Sequence, residues 1–330
     1  MMVPAPQAAA LERLADIAPL ETPAPTRRML VIINPYATTM SVRLKHLVVY
    51  ALQGRFDVEA VDTQRKGHAI ELCREAAQEG YDVVVAFGGD GTVNEVANGL
   101  AGSDTALSCL PGGATNVYCR MLGIPTEVVD ATEHLLRLAD AWQPRAVDVG
   151  RVNDRWFTFS AGAGLDATVV QRVDSHPRLK ARFGPYYYAQ AAVATFLEKY
   201  LVNPPRVVAS AGGRELEGVS VFVQNARPYT YFRRRPVNLS DGADLGSGDL
   251  SGVVLTRANA LDVPAIAFRL LSRRARVAGH RRVVAFDGLD GLRVRSVDER
   301  PVPVQVDGDY VGEHEEAVFS VLPGGLKVLG

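Results

Sequence analysis

The chain has 330 residues, of which 47% are hydrophobic and 22% are charged, and its formal net charge is −1. This length permits two domains with their own cores, and the near-neutral charge excludes a nucleic-acid binder whose whole surface is basic. No apolar run approaches the roughly 20 residues of a membrane span, and the N-terminus lacks the basic and then apolar segments of a signal peptide. We therefore expect a globular, cytoplasmic protein whose three cysteines, which lack metal-ligand spacing, are small core residues.

The first part of the chain alternates between strand and helix patterns. Residues 1–26 contain five prolines and predict a disordered tail. The apolar run at 29–33 predicts a buried strand and 56–61 predicts a second strand, and each precedes a segment of helical periodicity. Asn34 and Thr63 directly follow these strands. Such alternation predicts a parallel, Rossmann-like α/β sheet with helices on both faces and a ligand at the carboxyl ends of its strands.

The third strand leads into the most informative stretch of the sequence. Val83–Phe87 is an unbroken apolar run, after which Gly88, Gly89 and Gly91 surround Asp90 at the start of a helical pattern. Glycines let an anion approach the backbone amides, and a helix N-terminus favours phosphate. A carboxylate in this loop would repel phosphate unless a divalent cation lay between them. Asp90 therefore indicates a nucleotide bound with Mg²⁺.

The same residues allow interpretations that need no ligand. Thr92 and Glu95 have the spacing of a capping box, whose cap stabilises a helix by about 1 kcal/mol in the absence of any ligand. Gly-Gly-Asp-Gly also occurs in ordinary tight turns. The polar stripe of Asn94, Glu95 and Asn98 is more typical of a solvated surface than of a site.

A second glycine turn follows the fourth predicted strand, at 106–110. Pro111-Gly112-Gly113 turns the chain there, and 116–122 predicts a short helix. This turn is expected at the same sheet edge as the first. A helix at 127–141 closes a nucleotide-binding domain over 27–143, and Gln143-Pro144 marks the predicted linker.

Beyond the linker, short apolar runs recur between glycine-rich turns. This pattern predicts a mostly antiparallel, β-sandwich-like domain over 144–330, with a C-terminal end that packs back on the first domain. The runs predicted as strands are 156–159, 207–209, 219–223, 253–255, 283–286 and 292–297.

Two motifs, taken in order, resemble a known family. GGDGTVNEV at 88–96 followed by PGGATNVYCRMLGIP at 111–125 is similar to the diacylglycerol kinase catalytic-domain family of lipid kinases, which includes sphingosine and ceramide kinases. The resemblance implies a phosphofructokinase-like first domain that binds ATP and Mg²⁺, a second domain that contributes the lipid pocket, and reaction in the cleft between them. It implies that the nucleotide is bound by Asn34, Thr63, Gly88, Gly89, Asp90, Gly91, Thr92, Glu95, Gly113 and Asn116, with Asp90 as the metal ligand.

The chain departs from the family in both nucleotide motifs. Where the family often has Ser-Gly-Lys after Asn-Pro, this chain has 36–39 as Tyr-Ala-Thr-Thr, so Thr38 or Thr39 would replace part of the lysine contact. In the second turn Ala114 and Val117 replace the family's threonine and last aspartate. Thr115 is then a candidate N-cap or substitute hydroxyl.

Two segments of the second domain are also compared with the family. Ser247 stands where the family has an aspartate that could anchor a structural Mg²⁺, which leaves Asp249 or Asp241 as substitutes. The stretch 162–166, Gly-Ala-Gly-Leu-Asp, resembles a family turn that faces the cleft, although a hairpin turn explains it equally well.

A carboxylate pair, Asp307 and Asp309, flanks Gly308 near the C-terminus. Asp-Gly is the commonest hairpin turn and needs no function. The family has Asp-Gly-Glu here, and this resemblance implies that Asp307 is catalytic and accepts the proton of the lipid hydroxyl. An alternative assignment makes Asp90 the base.

Two basic segments are candidates for membrane contact. Residues 233–235 are arginines preceded by aromatic residues, and residues 265–282 contain no acidic residue. Such segments dock on anionic lipid or form solvated faces, and docking would place the protein peripherally at the inner membrane face. The arginines of the second segment are Arg269, Arg273, Arg274, Arg276, Arg281 and Arg282.

These observations together predict an ATP-dependent phosphotransferase with an alcohol acceptor, which converts diacylglycerol to phosphatidic acid. A sphingoid, ceramide or other lipid kinase remains an alternative, as does a catalytically altered protein that binds nucleotide or lipid without turnover. NAD kinases and phosphofructokinases share the glycine loop, but their second Asn-Glu motif and sugar-phosphate aspartate segment are not found. The expected partner is a lipid and not a nucleic acid, and a homodimer is left open.

Overall fold

The computed structural model describes residues 27–37, 41–176, 179, 185–195, 198, 205–232, 235–257, 259, 262–272, 275–298 and 300–330. Two compact units make up the chain. The first ends at Val147 and includes Gly325–Gly330, and the second is Asp148–Gly324. The tail predicted at 1–26 and the candidates Thr38 and Thr39 lie outside the described residues.

The first unit is built on a parallel sheet, as predicted. Its four strands lie in the order β2-β1-β3-β4, and Val83 of β3 pairs with Met29 on one side and Ala106 on the other. Every residue of β3 and β4 is buried, because both faces of these strands are covered. The strands β1 to β4 are Arg28–Ile33, Asp57–Asp62, Val83–Gly88 and Ala106–Pro111.

Where the first unit is described, five helices follow these strands or lie between them, and their ends follow local sequence signals. The Ser41 hydroxyl accepts a hydrogen bond from Leu44 N and caps α1. Gly67 precedes α2 with φ of +83°, a conformation that suits glycine. The helices α1 to α5 are Val42–Gln53, His68–Gln78, Asp90–Leu100, Val117–Met121 and Val128–Asp140.

The second unit contains the predicted antiparallel sheets. Six strands lie in the order β14-β13-β10-β7-β16-β17, while β15 pairs with β8 and with the start of β18. One apolar cluster, which includes Val221, Val304, Val294 and Phe319, contains residues of both sheets and forms the core of a sandwich. The strands β5 to β18 are Arg145–Val152, Arg155–Phe157, Ser160–Gly164, Val207–Ala211, Arg214–Gly218, Ser220–Gln224, Thr230–Phe232, Arg235–Val237, Leu250–Leu255, Val283–Leu289, Gly291–Ser296, Val302–Val306, Asp309–His314 and Glu316–Val328.

The described residues of the second unit include three further helices: α6 (Leu165–Asp174), α7 (Pro185–Thr195) and α8 (Val263–Leu271). The stretch 162–166 is not a hairpin turn, because β7 passes directly into α6. Gly164 makes this transition with φ of +91°, where a Cβ would lie 2.5 Å from Val219 O. Among the described residues, no helix is long and apolar enough to cross a membrane.

Candidate functional site

The two glycine turns of the first unit are in direct backbone contact. They follow β3 and β4, and Gly112 N donates a hydrogen bond to Gly88 O at 2.8 Å. A Cβ on Gly112 would lie 2.8 Å from Gly88 Cα, and a Cβ on Gly113 would lie 2.8 Å from Gly89 Cα. Side chains are therefore excluded, and the turns form one strip of backbone at the carboxyl ends of the strands.

Helix α3 presents an uncapped N-terminus at this strip. It begins at Asp90, and its N-cap, Gly89, supplies no side-chain hydrogen bond. The first amides of a helix have no acceptor within the helix, so they are available to an anion here. The predicted capping box is therefore wrong: Thr92 lies in the first turn of the helix, 7% exposed, where its Oγ1 accepts a hydrogen bond from Asn34 Nδ2 at 3.2 Å.

Asn34 and Thr63 lie at the ends of the first two strands, as the sequence predicts. The Asn34 side chain also accepts a hydrogen bond from Tyr36 N at 3.0 Å, so it connects the end of β1 to α3. Thr63 N donates to Ile33 O at 2.8 Å, which holds the half-buried threonine beside β1.

Glu95 caps a neighbouring helix from within α3. Its two carboxylate oxygens accept hydrogen bonds from Gly67 N at 2.8 Å and from Ala69 N at 3.3 Å, at the start of α2. A carboxylate at this position stabilises the N-terminus of α2. The interpretation of the polar stripe as a solvated surface is wrong, because α3 packs against α2 and leaves Asn94 1% and Asn98 8% exposed.

Asp90 and Asn116 hold the second glycine turn beside the first. Asp90 Oδ1 accepts a hydrogen bond from Tyr118 N at 3.1 Å. Asn116 adopts φ of +48° and exchanges two hydrogen bonds with the backbone of Gly113, at 2.9 and 2.8 Å. Asn116, rather than Thr115, is the N-cap of α4.

The Asp90 carboxylate is suited to coordinating a metal ion that is bound together with a phosphate ligand. Asp90 is half-buried and lies between Gly89 and Gly91 of the first glycine turn. In the part of the chain that the structure describes, no group of three or more His, Cys, Asp or Glu side chains could hold a metal ion. Mg²⁺ commonly uses one or two carboxylates together with phosphate oxygens and water, and this donor set fits that pattern.

Asp307 forms the hairpin turn between β16 and β17 and is only 5% exposed. Its Oδ2 accepts hydrogen bonds from Thr158 N and Thr158 Oγ1, at 2.7 and 2.9 Å. Its Oδ1 accepts them from Phe159 N and Ser160 N, at 3.0 and 3.1 Å. Both oxygens are thus engaged in joining the hairpin to the start of β7, while Asp309, at the start of β17, is half-buried.

Asp148, which the sequence analysis did not single out, takes part in a similar anchor. Its carboxylate accepts hydrogen bonds from Gly248 N at 2.6 Å and from Gly324 N at 2.8 Å. These bonds fix the loop that contains Ser247. Asp241, one of the two residues proposed to replace the family's metal-binding aspartate, forms an ion pair with Arg276 at 2.9 Å.

Arginines of the second basic segment, residues 265–282, form ion pairs with aspartates that lie outside this segment. Asp262, 4% exposed, lies 3.0 Å from Arg281 and 3.7 Å from Arg282 Nε. These contacts neutralise part of the charge that the sequence assigns to a lipid surface. Arg233, Arg234, Arg273 and Arg274 lie outside the described residues.

Residues 28–152 match the family model of the diacylglycerol kinase catalytic domain. The chain is 25% identical to the diacylglycerol kinase of Staphylococcus carnosus (strain TM300) over 87% of this chain and 90% of that protein. It is 34% identical to the diacylglycerol kinase of Bacillus subtilis (strain 168) over 49% of this chain and 53% of that protein. A crystal structure of a diacylglycerol kinase from Bacillus anthracis str. Sterne shares the fold, with a TM-score of 0.69 at 23% identity over 92% of this chain and 96% of that one. Residues 28–152 are thus similar to the catalytic domain of the diacylglycerol kinase family.

Proposed function

We propose that this protein is an ATP-dependent lipid kinase that phosphorylates a lipid hydroxyl, with diacylglycerol as its acceptor and phosphatidic acid as its product. The observation that supports this most strongly is the uncapped N-terminus of α3 beside two glycine turns in backbone contact. Phosphoryl transfer depends mainly on positioning and on neutralising charge, and exposed amides at a helix N-terminus provide both for a nucleotide phosphate.

The groups around the glycine turns have two roles: some contact the nucleotide or its metal ion, and others hold these contacting groups in place. In this proposal the amides from Gly88 to Thr92 bind phosphate, and Asp90 contacts Mg²⁺, which supplies charge neutralisation when bound. Asn34, Glu95 and Asn116 hold the walls of the site through the hydrogen bonds given above.

Of the two candidate bases, Asp307 is disfavoured by its hydrogen bonds. Asp307 has four donors on its two oxygens, all of which favour the ionised carboxylate and occupy the lone pairs that a proton would need. We infer that Asp307 positions the hairpin that carries Asp309.

The test is transfer of labelled γ-phosphate from ATP and Mg²⁺ into mixed micelles that offer diacylglycerol, monoacylglycerol, ceramide or sphingosine. Asp90→Asn should lower turnover by at least about a hundredfold, since it removes a charge at the reacting phosphate. Asp57→Asn, at an exposed position of β2, is the matched control. A wild-type protein that binds ATP and labels no lipid would favour the alternative of a binder without turnover.

We further propose that the protein reaches its substrate through a peripheral membrane contact on α8. Phe268 is 68% exposed there, which is unusual for a large apolar side chain, and the half-buried Arg269 is its neighbour. Phe268→Ser should reduce co-sedimentation with phosphatidylcholine vesicles containing phosphatidylglycerol, whereas Val284→Ser, at another exposed apolar position, should not. Equal loss in both variants would argue against α8 as the contact.

A further inference from the structure

One loop of the second unit is closed by a side-chain hydroxyl at the position where the family resemblance implies a structural Mg²⁺. This Ser247 loop comprises residues 244–249, and Ser247 stands in place of the family's aspartate. The Ser247 hydroxyl lies 3.2 Å from Asp244 O and 3.4 Å from Asp249 O, and it donates its proton to these two carbonyl oxygens. A single side chain therefore connects the first residue of the loop to the last.

The oxygens of Asp244 are already engaged by donors of the loop itself. Ser247 N donates a second hydrogen bond to Asp244 O at 3.3 Å, so both lone pairs of this carbonyl oxygen have a donor. The Asp244 carboxylate accepts a hydrogen bond from Leu245 N at 2.7 Å. Mg²⁺ is usually bound through carboxylates, whereas the side chain at position 247 is a neutral hydroxyl that acts as a donor. The donor set of the loop therefore does not fit a structural Mg²⁺.

A carboxylate outside the loop holds its backbone in place. Asp148, 4% exposed, accepts hydrogen bonds from Gly248 N at 2.6 Å and from Gly324 N at 2.8 Å. Asp148 N in turn donates to Leu245 O at 2.7 Å. Hydrogen bonds to an ionised acceptor are stronger than those between neutral groups. These contacts fix the loop by means of protein groups alone.

Asp249 is the remaining residue proposed to replace the family's metal-binding aspartate. Its side chain lies beside β14, because a Cβ on Gly288 would be 3.8 Å from its Oδ2. Its Oδ1 is buried and has no hydrogen-bond partner among the described residues. The group of Asp249 that faces Ser247 is the backbone carbonyl. The carboxylate of Asp249 is therefore the rival to be tested as a cation ligand.

We propose that the Ser247 hydroxyl takes the place of a structural cation, so that this loop keeps its conformation without a divalent metal ion. A hydroxyl proton and a cation have the same effect between two carbonyl oxygens, since each places positive charge where the oxygens would otherwise repel one another. Serine does this with a neutral side chain, whereas an aspartate would add a negative charge that only a cation could offset. The inference concerns the fold of the second unit and does not depend on the proposed lipid kinase function.

The same geometry predicts that a carboxylate at position 247 would create a metal site. In Ser247→Asp the new carboxylate would face the carbonyl oxygens of Asp244 and Asp249 in place of the hydroxyl. Three oxygens without a donor between them repel one another, and an arrangement of this kind binds a hard cation such as Mg²⁺ or Ca²⁺. The substitution should make the stability of the second unit depend on metal.

The test is thermal unfolding of the full chain without nucleotide, at one ionic strength, in EDTA, in Mg²⁺ or in Ca²⁺. The wild-type protein should have the same midpoint in all three. Ser247→Asp should unfold at a lower temperature in EDTA, and its midpoint should rise by about 5 °C at a cation concentration roughly a hundredfold above the Kd.

Two control variants separate this site from other effects of charge and metal. Gly246→Asp adds the same charge to the same loop at a position where a Cβ meets nothing within 4 Å, so it should gain no response to either cation. Asp90→Asn removes the proposed ligand of the nucleotide's metal and should leave the midpoint as independent of metal as in the wild-type protein.

Ser247→Ala tests the hydroxyl without creating a metal ligand, and it can be measured even if Ser247→Asp does not fold. Loss of the hydrogen bonds to Asp244 and Asp249 should lower its midpoint equally in EDTA and in Mg²⁺. An unchanged midpoint would show that the hydroxyl does not close the loop.

Two further results would overturn the proposal. One is a wild-type midpoint that rises with Mg²⁺ or Ca²⁺ and still rises in Asp90→Asn; loss of that rise in Asp249→Asn would assign the cation to Asp249. The other is a Ser247→Asp variant that responds to cations no more than Gly246→Asp does. Absence of phosphate transfer by the wild-type protein would contradict the proposed function instead and would not affect this measurement.

Discussion

Buried and half-buried carboxylates in this protein differ in the groups that donate hydrogen bonds to them. Asp148 and Glu95 accept hydrogen bonds from backbone amides, and Asp307 accepts three from backbone amides and one from a hydroxyl. Among the described residues, the Asp166 carboxylate accepts hydrogen bonds from two neutral side chains, Tyr229 and Gln305. The first three residues therefore hold backbone segments in place, whereas Asp166 joins two side chains.

Asp307→Asn tests whether this residue anchors the fold or acts as the base. In this variant the side-chain NH2 group would replace one carboxylate oxygen and point at groups that are themselves hydrogen-bond donors. At least two hydrogen bonds are therefore lost, and the free energy of unfolding should fall by about 2–4 kcal/mol. Left-handed backbone is tolerated by asparagine, so the φ of +48° adds no strain. The measurement is chemical denaturation. Full stability together with abolished turnover would show that Asp307 is the base after all.

Asp166 should make stability depend on pH. Burial raises the pKa of Asp166 from 3.8 to about 6, so the folded state holds this proton more tightly than the unfolded state. The stability contributed by the bound proton is fully present below the unfolded pKa and is lost as pH rises through the folded value. Relative to wild type, Asp166→Asn should gain on the order of 2 kcal/mol between about pH 4 and about pH 8. A constant difference in urea denaturation between the two proteins across that range would contradict this account.

At the scale of elements, the strand-loop-helix units could be predicted because their signals are local. The glycines after β3 and β4 and the helical periodicity after them lie within short stretches of sequence. The capping-box interpretation failed, since Thr92 satisfies the pattern of an N-cap but lies inside the helix, where its hydroxyl accepts a hydrogen bond from Asn34.

The contact between the glycine turns should be intolerant of a methyl group. Gly113→Ala would place a Cβ 2.8 Å from Gly89 Cα, and the backbone must shift to relieve it, at a cost of about 1–3 kcal/mol. Affinity for ATP in equilibrium binding should fall by about tenfold or more as the amides move. Gly246→Ala is the control, because a Cβ there meets nothing within 4 Å. Unchanged ATP affinity in Gly113→Ala would separate this strip from the nucleotide.

At the scale of the whole molecule, the chain leaves the first unit at Val147 and returns to it at Gly325. Val328 pairs with Leu107 of β4, and Ser108 Oγ donates a hydrogen bond to Leu329 O at 2.7 Å. The final residues thus form an integral part of the parallel sheet of the first unit.

Deletion of residues 325–330 should therefore destabilise the first unit. Leu326, Val328 and Leu329 are at most 1% exposed, and burial of each contributes about 2 kcal/mol. ATP binding should be lost, although the deletion lies far from the glycine turns in sequence. Lys327→Ala, which removes only a surface ion pair with Asp104, should leave binding intact. ATP binding by the truncated protein at wild-type affinity would refute this.

The sequence by itself determined the parallel α/β unit, the antiparallel second unit, the two glycine turns and the family resemblance. Hydrophobic periodicity and glycine conformations act over a few residues, which is why they can be read without a structure. Only the tertiary structure decided what the polar side chains do. Glu95 meets Gly67, Asp307 meets Thr158, and Asp166 meets Gln305 across 28, 149 and 139 residues of sequence. Such partners are brought together by packing of whole elements, so local sequence carries no signal that distinguishes a helix cap from an anchor between strands.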